Sequence, residues 1–294
     1  MSKEGIHSSV QDIAKYYNKI DGHYDDLYSS PVCLAEDNIV MSQIKPHIGE
    51  NSHLLDIGCG TGLVASHLEG VDFKGIDVSS TELETAVEKV PSHKNDFMVG
   101  DMNNIPFKDG SFSILTSTYG PFSYSQDPES LREELMRVIK PGSKFVVMPY
   151  SKRTGMSIGM GGSTAAVDGN VPRIYYTEDR IKTIFNGENE KVSGINYLAN
   201  LVMEELESSR QEFVIDKTFL MNELKYLVNR MGEEHFMLPE EVNFGRLPEL
   251  WSEFQKDRNN VDIMTEILEE ERKVFEGVLP AHFARHMLVT GTKK

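Results

Sequence analysis

The 294-residue sequence predicts an α/β protein with a doubly wound, mostly parallel sheet, N-terminal helices ahead of it and a helical insertion before its last strand. Three observations lead there. Short apolar runs alternate with helical patterns over residues 50–150, a glycine-rich turn (LLDIGCGTG, residues 54–62) follows the first run, and a long helical stretch separates this alternation from a final strand-like run. Such alternation is the signature of parallel strands joined by crossover helices.

In chain order, SSVQDIAKYYNKI sets Val10, Ile13, Ala14 and Tyr17 on one helical face. SSPVCLAEDNIVMSQIKPHIG begins a second helix with Pro31 in its first turn, where a missing N–H costs nothing. HLLDI, FKGID, NDFMVGD, FSILTST and KFVVMPY read as strands; LVASHLEG, STELETAVEKV and PESLREELMRVIKPG read as the helices between them. After Tyr150 the Gly-, Ser- and Met-rich stretch over residues 151–172 shows no period and is too long for an ordinary connection. It is either disordered or a functional lid; its place after the C-terminal end of a strand, where open α/β sheets bind ligands, favours a lid that is mobile without ligand. YYTEDRIKTIFNG reads as a helix with Thr177 as N-cap and Glu178 and Asp179 in its first turn. KVSGINYLANLVM fits a sixth strand or a helix starting near Asn196.

Residues 202–281 read as helical, with apolar repeats at Leu220, Leu224, Leu227, Val228 and Met231 and at Met264, Ile267, Leu268, Val274, Phe275 and Val278. Such stripes ordinarily pack against a sheet; the alternative is that they roof a site. HFARHMLVTGTKK has strand character and rejoins the sheet. The expected organisation is a helical cap (1–50), a binding core (51–201), a helical insertion or lid (202–281) and a last strand (282–294). No internal repeat is present.

Thirty basic against 46 acidic residues give a formal net charge of −16, which repels a phosphate backbone, and no Lys/Arg run offsets it. This points to a small-molecule substrate and away from nucleic acid. No apolar run reaches membrane-span length and MSKEGIHSSVQD lacks the apolar segment of a secretory signal, so no membrane partner and a cytoplasmic location are expected. Two cysteines, Cys33 and Cys59, supply neither a disulfide framework nor a thiolate metal cluster; no metal is expected. Either a monomer or a homodimer is compatible with these features.

Glycine permits sharp turns and close backbone approach to a ligand. The dinucleotide fingerprint GxGxxG is not met, because Leu63 stands where its third glycine belongs after Gly58 and Gly60. Gly58, Gly60 and Gly62, with Asp56 two residues ahead of the first, suit instead an amino acid carrying a nucleoside.

LLDIGCGTG resembles the first motif of the class I S-adenosylmethionine (SAM)-dependent methyltransferases of small-molecule type. The resemblance extends over roughly residues 15–150 and implies a seven-stranded, Rossmann-like sheet with SAM as cofactor. It implies that Asp77, ending FKGID, accepts the ribose hydroxyls beside Val78. By the same similarity, Asp101 in VGDMNNIPF accepts from the adenine amino group while Met102 packs near the ring. Asp56, Gly58, Cys59, Gly60 and Gly62 would form the cradle, with Cys59 a small buried filler, and Thr118 and Tyr119 would close it from the loop after the fourth strand. KYYNKIDGHYDDLY resembles the tyrosine-bearing cap over SAM, giving Tyr17 and Tyr24, with His23 alongside. Candidate catalytic residues near the sulfonium are Tyr24, Tyr119, Tyr175 and Tyr176; Phe122 and Tyr124 lie in the same loop as Tyr119.

That loop reads TSTYGP and lacks the Asn/Asp-Pro-Pro-aromatic signature of many amino-methylating DNA and protein enzymes, which disfavours a nucleic-acid base or glutamine side chain as acceptor. No paired acid–histidine set suggests a metal-dependent catechol enzyme. The implied activity is N-, O- or C-methylation of a small metabolite or natural-product intermediate in biosynthesis. Two alternatives stand beside it. SAM could be the sole substrate, cyclised to azetidine-2-carboxylate with release of methylthioadenosine, or the chain could be a non-catalytic SAM-binding scaffold.

Overall fold

The computed structural model describes residues 3–19, 25–68, 70–157, 165–168, 171–208, 214–233 and 236–294. Seven strands form its central sheet: β1 (His53–Ile57), β2 (Asp72–Asp77), β3 (Phe97–Val99), β4 (Phe112–Ser117), β5 (Ile139–Val147), β8 (Lys191–Ile195) and β9 (His286–Thr292). Their order across the sheet is β3-β2-β1-β4-β5-β9-β8. β1 to β5 run parallel, and β9 lies antiparallel between β5 and β8.

The central strands are apolar on both faces, as a sheet covered twice requires. In β1, Leu54 joins the core that includes Val40 and Ile44 of helix α2 (Pro31–Ile44), while Leu55 and Ile57 join the opposite core with Leu131 and Leu135 of α5 (Pro128–Val138) and Ile181 of α7 (Glu178–Ile184). Pro31 opens α2 and Thr177 accepts from the Arg180 amide at the start of α7, as the sequence anticipates; Ser30 caps α2 by accepting from the Cys33 amide. Three further helices come from the N-terminal part of the chain: α1 (Lys3–Asn18), α3 (Leu63–Ser66) and α4 (Ser80–Lys89).

Between β8 and β9 the chain forms α8 (Ala199–Ser208), α9 (Lys217–Met231), α10 (Leu247–Phe254) and α11 (Val261–Phe275). Leu220, Leu224, Leu227, Met264, Ile267 and Leu268 are buried in the same core as α2, so their stripes pack beneath the sheet.

Several expectations are corrected. LVASHLEG supplies a single helical turn, not a full crossover helix. Strand β5 begins at Ile139, so IKPG belongs to strand and not to the helix before it. KVSGINYLANLVM holds both β8 and the start of α8. LPELWSEF, inside the stretch expected to be helical, forms α10, which burial of Leu247, Leu250, Trp251 and Phe254 stabilises despite its shortness. The stretch read as aperiodic contains helix α6 (Lys152–Ser157) and an antiparallel hairpin, β6 (Ala165–Asp168) with β7 (Val171–Ile174). Residues 158–164 and 169–170 of the expected lid lie outside the described residues. Among the described residues, no helix is long and apolar enough to cross a membrane.

Candidate functional site

The glycine turn leaves β1 by bonding to its neighbour: the Gly58 and Cys59 amides donate to the Ile76 carbonyl at 2.8 and 3.1 Å. Gly58 has φ +68°, and a Cβ there would land on the Pro121 ring. At Gly62, with φ +81°, a Cβ would press within 3.2 Å of Ala86 and 3.3 Å of Phe97. Both positions therefore need glycine for conformation and for space. Cys59 is buried, its thiol pushed well above the usual range by burial and by Asp77 and Asp56.

Asp77 braces this turn from β2. One carboxylate oxygen accepts from the Gly60 amide and the other from the Ser79 amide, each at 2.9 Å. Burial pushes the Asp77 carboxyl up against those bonds. Asp101 accepts from the Asn103 amide at 2.8 Å and from its side chain at 2.9 Å.

Gly58, Cys59, Gly60, Asp77, Val78, Asp101, Met102, Thr118, Tyr119 and Tyr17 all line one cavity of about 760 Å³. That volume lies within the roughly 300–1,000 Å³ of small-molecule sites. Glu82, in the first turn of α4, also lines it; its carboxyl is 2 % exposed and neither oxygen has a partner among the described residues. Burial, Asp77 and Asp25 push it up to about 7.

Four expected site residues sit elsewhere. Asp56 points sideways within the sheet, accepting from the Thr116 hydroxyl at 2.8 Å, and burial pushes its carboxyl up to about 7. Gly62 packs against α4 and β3 and does not line the cavity. Tyr175 and Tyr176 are buried and are not lining residues either; Tyr176 packs against Phe122 in the core beside α7. Their acceptor-facing role is therefore dropped. Tyr24 and His23 lie outside the described residues.

The cavity continues past the glycine turn to further walls, where sequence reading named Tyr124 and the Leu227–Met231 stripe but missed Arg173, Glu36 and Asp37. On one side the Arg173 guanidinium of β7 lies 5.5, 5.3 and 6.0 Å from the ring centroids of Tyr16, Tyr124 and Tyr150, a cation–π arrangement. On the other, Glu36 and Asp37 of α2 face the ends of β4 and β9. Burial alone would raise Glu36, but His286 and Arg285 outweigh it and hold its carboxyl below the usual range. The Tyr119 hydroxyl donates to Asp37 at 2.5 Å, and burial pushes Asp37 up to about 6. Tyr119 itself has φ +57°, a conformation that a bulky residue adopts only when its surroundings impose it. Leu201 and Glu204 of α8 and Tyr226, Leu227, Arg230 and Met231 of α9 complete this wall. No local signal in the sequence marks Glu36 and Asp37, because α2 carries Asn38, Ser42 and Gln43 as further polar residues.

Residues 55–147 match the family model described as a methyltransferase domain. Over this stretch the chain is similar to methyltransferase domains. Norajmaline N-methyltransferase of Rauvolfia serpentina is 36 % identical over 108 residues, covering 34 % of this chain and 37 % of that protein. Demethylmenaquinone methyltransferase of Chlamydia trachomatis is 28 % identical over 155 residues, covering 51 % of this chain and 64 % of that protein. The chain thus spans between about a third and two thirds of the length of the curated relatives it matches. A SAM-dependent methyltransferase from Thermotoga maritima superposes over 95 % of this chain and 98 % of that one, with TM-score 0.51 and 15 % identity, so the two share a fold. The matched stretch ends with β5; α2, β7, α8, α9 and β9, which build the far wall of the cavity, lie outside it.

Proposed function

We propose that the chain is a SAM-dependent methyltransferase acting on a small metabolite or natural-product intermediate. The observation that carries this reading is that a single cavity contains both the glycine turn with its acids and a further chamber walled by α2, α8, α9 and the start of β9. The first part suits the cofactor and the second leaves room for an acceptor.

The residues present fit SAM. The turn offers a cradle that a Cβ at Gly58 would fill, and Glu82 presents a buried carboxyl without a partner among the described residues beside Asp77. Asp77 would accept from the ribose and Asp101 from the adenine amino group, with Met102 against the ring. When bound, SAM supplies a methyl carbon made electrophilic by the sulfonium it is attached to. The protein's part is to hold an acceptor in line with that carbon and exclude water, so proximity contributes much of the rate. Tyr119, Tyr17 and Tyr124 would form the wall between the two parts of the cavity.

The chamber also bears on the cyclisation alternative, which needs no space for a second molecule. The test is incubation of the purified protein with SAM alone, followed by mass spectrometry. SAM that binds and survives supports the methyltransferase reading; methylthioadenosine with a new small amino acid, above a no-enzyme control, overturns it.

A further inference from the structure

Among the charged groups that line the far chamber, the cations are matched. Arg285 lies 3.3 Å from both Glu36 oxygens, and Arg153 donates to the carbonyls of Asn196, Tyr197 and Phe283. Arg230 donates to the Tyr226 hydroxyl, and Arg173 sits among tyrosine rings. Asp37 is different: its partner is the Tyr119 hydroxyl, and among the described residues no cation lies within ion-pair distance of it. A carboxylate that is mostly withdrawn from water and lacks a counter-charge is costly unless a ligand supplies one.

Its placement is specific. Asp37 lines the cavity beside Tyr119, which holds it and occupies a strained position two residues after β4. The β9 side contributes the His286 ring, edge-on to Tyr119 at 5.5 Å. The chamber therefore presents Asp37, fixed in orientation by Tyr119 and next to the Glu36–Arg285 pair, near the apolar side chains of Leu201, Leu227 and Met231, with Glu204 and Arg230 at its exposed edge.

We propose that the acceptor is a small primary or secondary amine, bound as its ammonium by Asp37, and that Asp37 takes the proton the nitrogen must lose before it can be methylated. This rests on the methyltransferase reading above. Asp37 accepts one ammonium proton, freeing the nitrogen lone pair. The nitrogen then forms a bond to the methyl carbon, the carbon–sulfur bond breaks with its electrons going to sulfur, and the products are an N-methylammonium and the neutral thioether S-adenosylhomocysteine. The proton on Asp37 leaves to solvent. Tyr119 is a positioning residue that fixes which Asp37 oxygen faces the amine.

The test uses the full chain and Asp37→Asn, which keeps shape and the Tyr119 hydrogen bond. SAM and S-adenosylhomocysteine affinities are measured first by calorimetry on both proteins. Phenethylamine, tyramine and ethanolamine are then titrated into protein saturated with S-adenosylhomocysteine, with phenylacetate as the anionic control, and S-adenosylhomocysteine release from SAM is followed with each amine. The expected result is binding and turnover of at least one amine, at least a tenfold loss of its affinity and a hundredfold loss of turnover in Asp37→Asn, and cofactor affinities unchanged within twofold. Four results overturn the proposal: none of the amines binds; phenylacetate binds better; the variant weakens SAM and S-adenosylhomocysteine alike, which assigns Asp37 to the cofactor's amino group; or it weakens SAM alone, which assigns it to the sulfonium. Failure of the wild type to bind either cofactor form refutes the underlying methyltransferase reading instead.

Discussion

The hydroxyls of Tyr17 and Tyr124 lie 2.7 Å apart, joining α1 to the segment after β4 across residues far apart in sequence. Their rings meet edge-to-face at 6.0 Å, and Tyr16 shares Arg173 with Tyr124. A helix otherwise peripheral to the sheet is thereby fastened to the wall of the cavity.

Replacing Tyr17 with Phe removes that hydrogen bond and keeps the ring. Docking of α1 should weaken by about 0.5–1.5 kcal/mol, the net value of one such bond. Hydrogen exchange of α1 amides should accelerate correspondingly while β1 and β4 amides stay protected; unchanged exchange in α1 would show that ring packing and the Asn18 bonds to Ser79 and Thr81 suffice to fasten the helix.

Asp77→Ala should cost SAM affinity on the order of 1.5–3 kcal/mol, the range for a lost charge-assisted bond. Part of that loss comes through the turn, because the Gly60 and Ser79 amides lose their acceptor. Asp77→Asn retains one carbonyl acceptor and should recover part of the affinity. Calorimetric affinity equal to wild type in the Ala variant removes Asp77 from the cofactor site.

Gly58→Ala meets two obstacles, a φ of +68° and the Pro121 ring. The conformational part costs roughly 1 kcal/mol or more, and the clash adds to it. Pro121→Ala removes the obstructing ring, so the double variant should be more stable than the sum of the two single losses predicts. Strict additivity in thermal unfolding would mean that the backbone angle accounts for the whole effect.

Stability should also depend on the Asp56 carboxyl. Its pKa is raised from 3.8 to about 7 by burial and by Asp77, against the Thr116 hydrogen bond. Between those values the native state binds more protons than the unfolded one, so this group's contribution is greatest at low pH and is lost as pH rises through about 7. Asp56→Asn should therefore flatten the fall in stability between pH 4 and 7 and raise stability at pH 8 by roughly 1–4 kcal/mol. Parallel denaturation curves for the two proteins at each pH would refute the assignment.

The contrast between Asp77 and Asp37 shows where sequence reading succeeds. Asp77 ends a strand one crossover after the glycine turn, so local order and the geometry of a parallel sheet are enough to place it. Asp37 reaches Tyr119 only because α2 packs across the sheet, a tertiary contact without a local signature. Tyr175 and Tyr176 show the converse error. Aromatic residues beside a suspected lid looked like site residues, yet Tyr176 packs against Phe122 in the core and Tyr175 lies behind the lining residue Tyr150, their centroids 6.0 Å apart. Helix α10 lies inside the stretch read as helical, but its apolar face spans barely two turns, too short for periodicity to single it out, although Trp251 is completely buried.

The position of β9 has a consequence for how the chain reaches its native form. It is made after every other strand of the sheet, yet it sits between β5 and β8 and pairs with both. During synthesis the edge of β5 stays unpaired until β8 and four helices have emerged, and β8 has no sheet neighbour at all until then. Contacts of such long sequence separation are slow to form, and open strand edges invite association with other chains. The helices between β8 and β9 thus bear on assembly as well as on the cavity: α11 packs on α2, which ties the chain shortly before β9 to the face of the sheet.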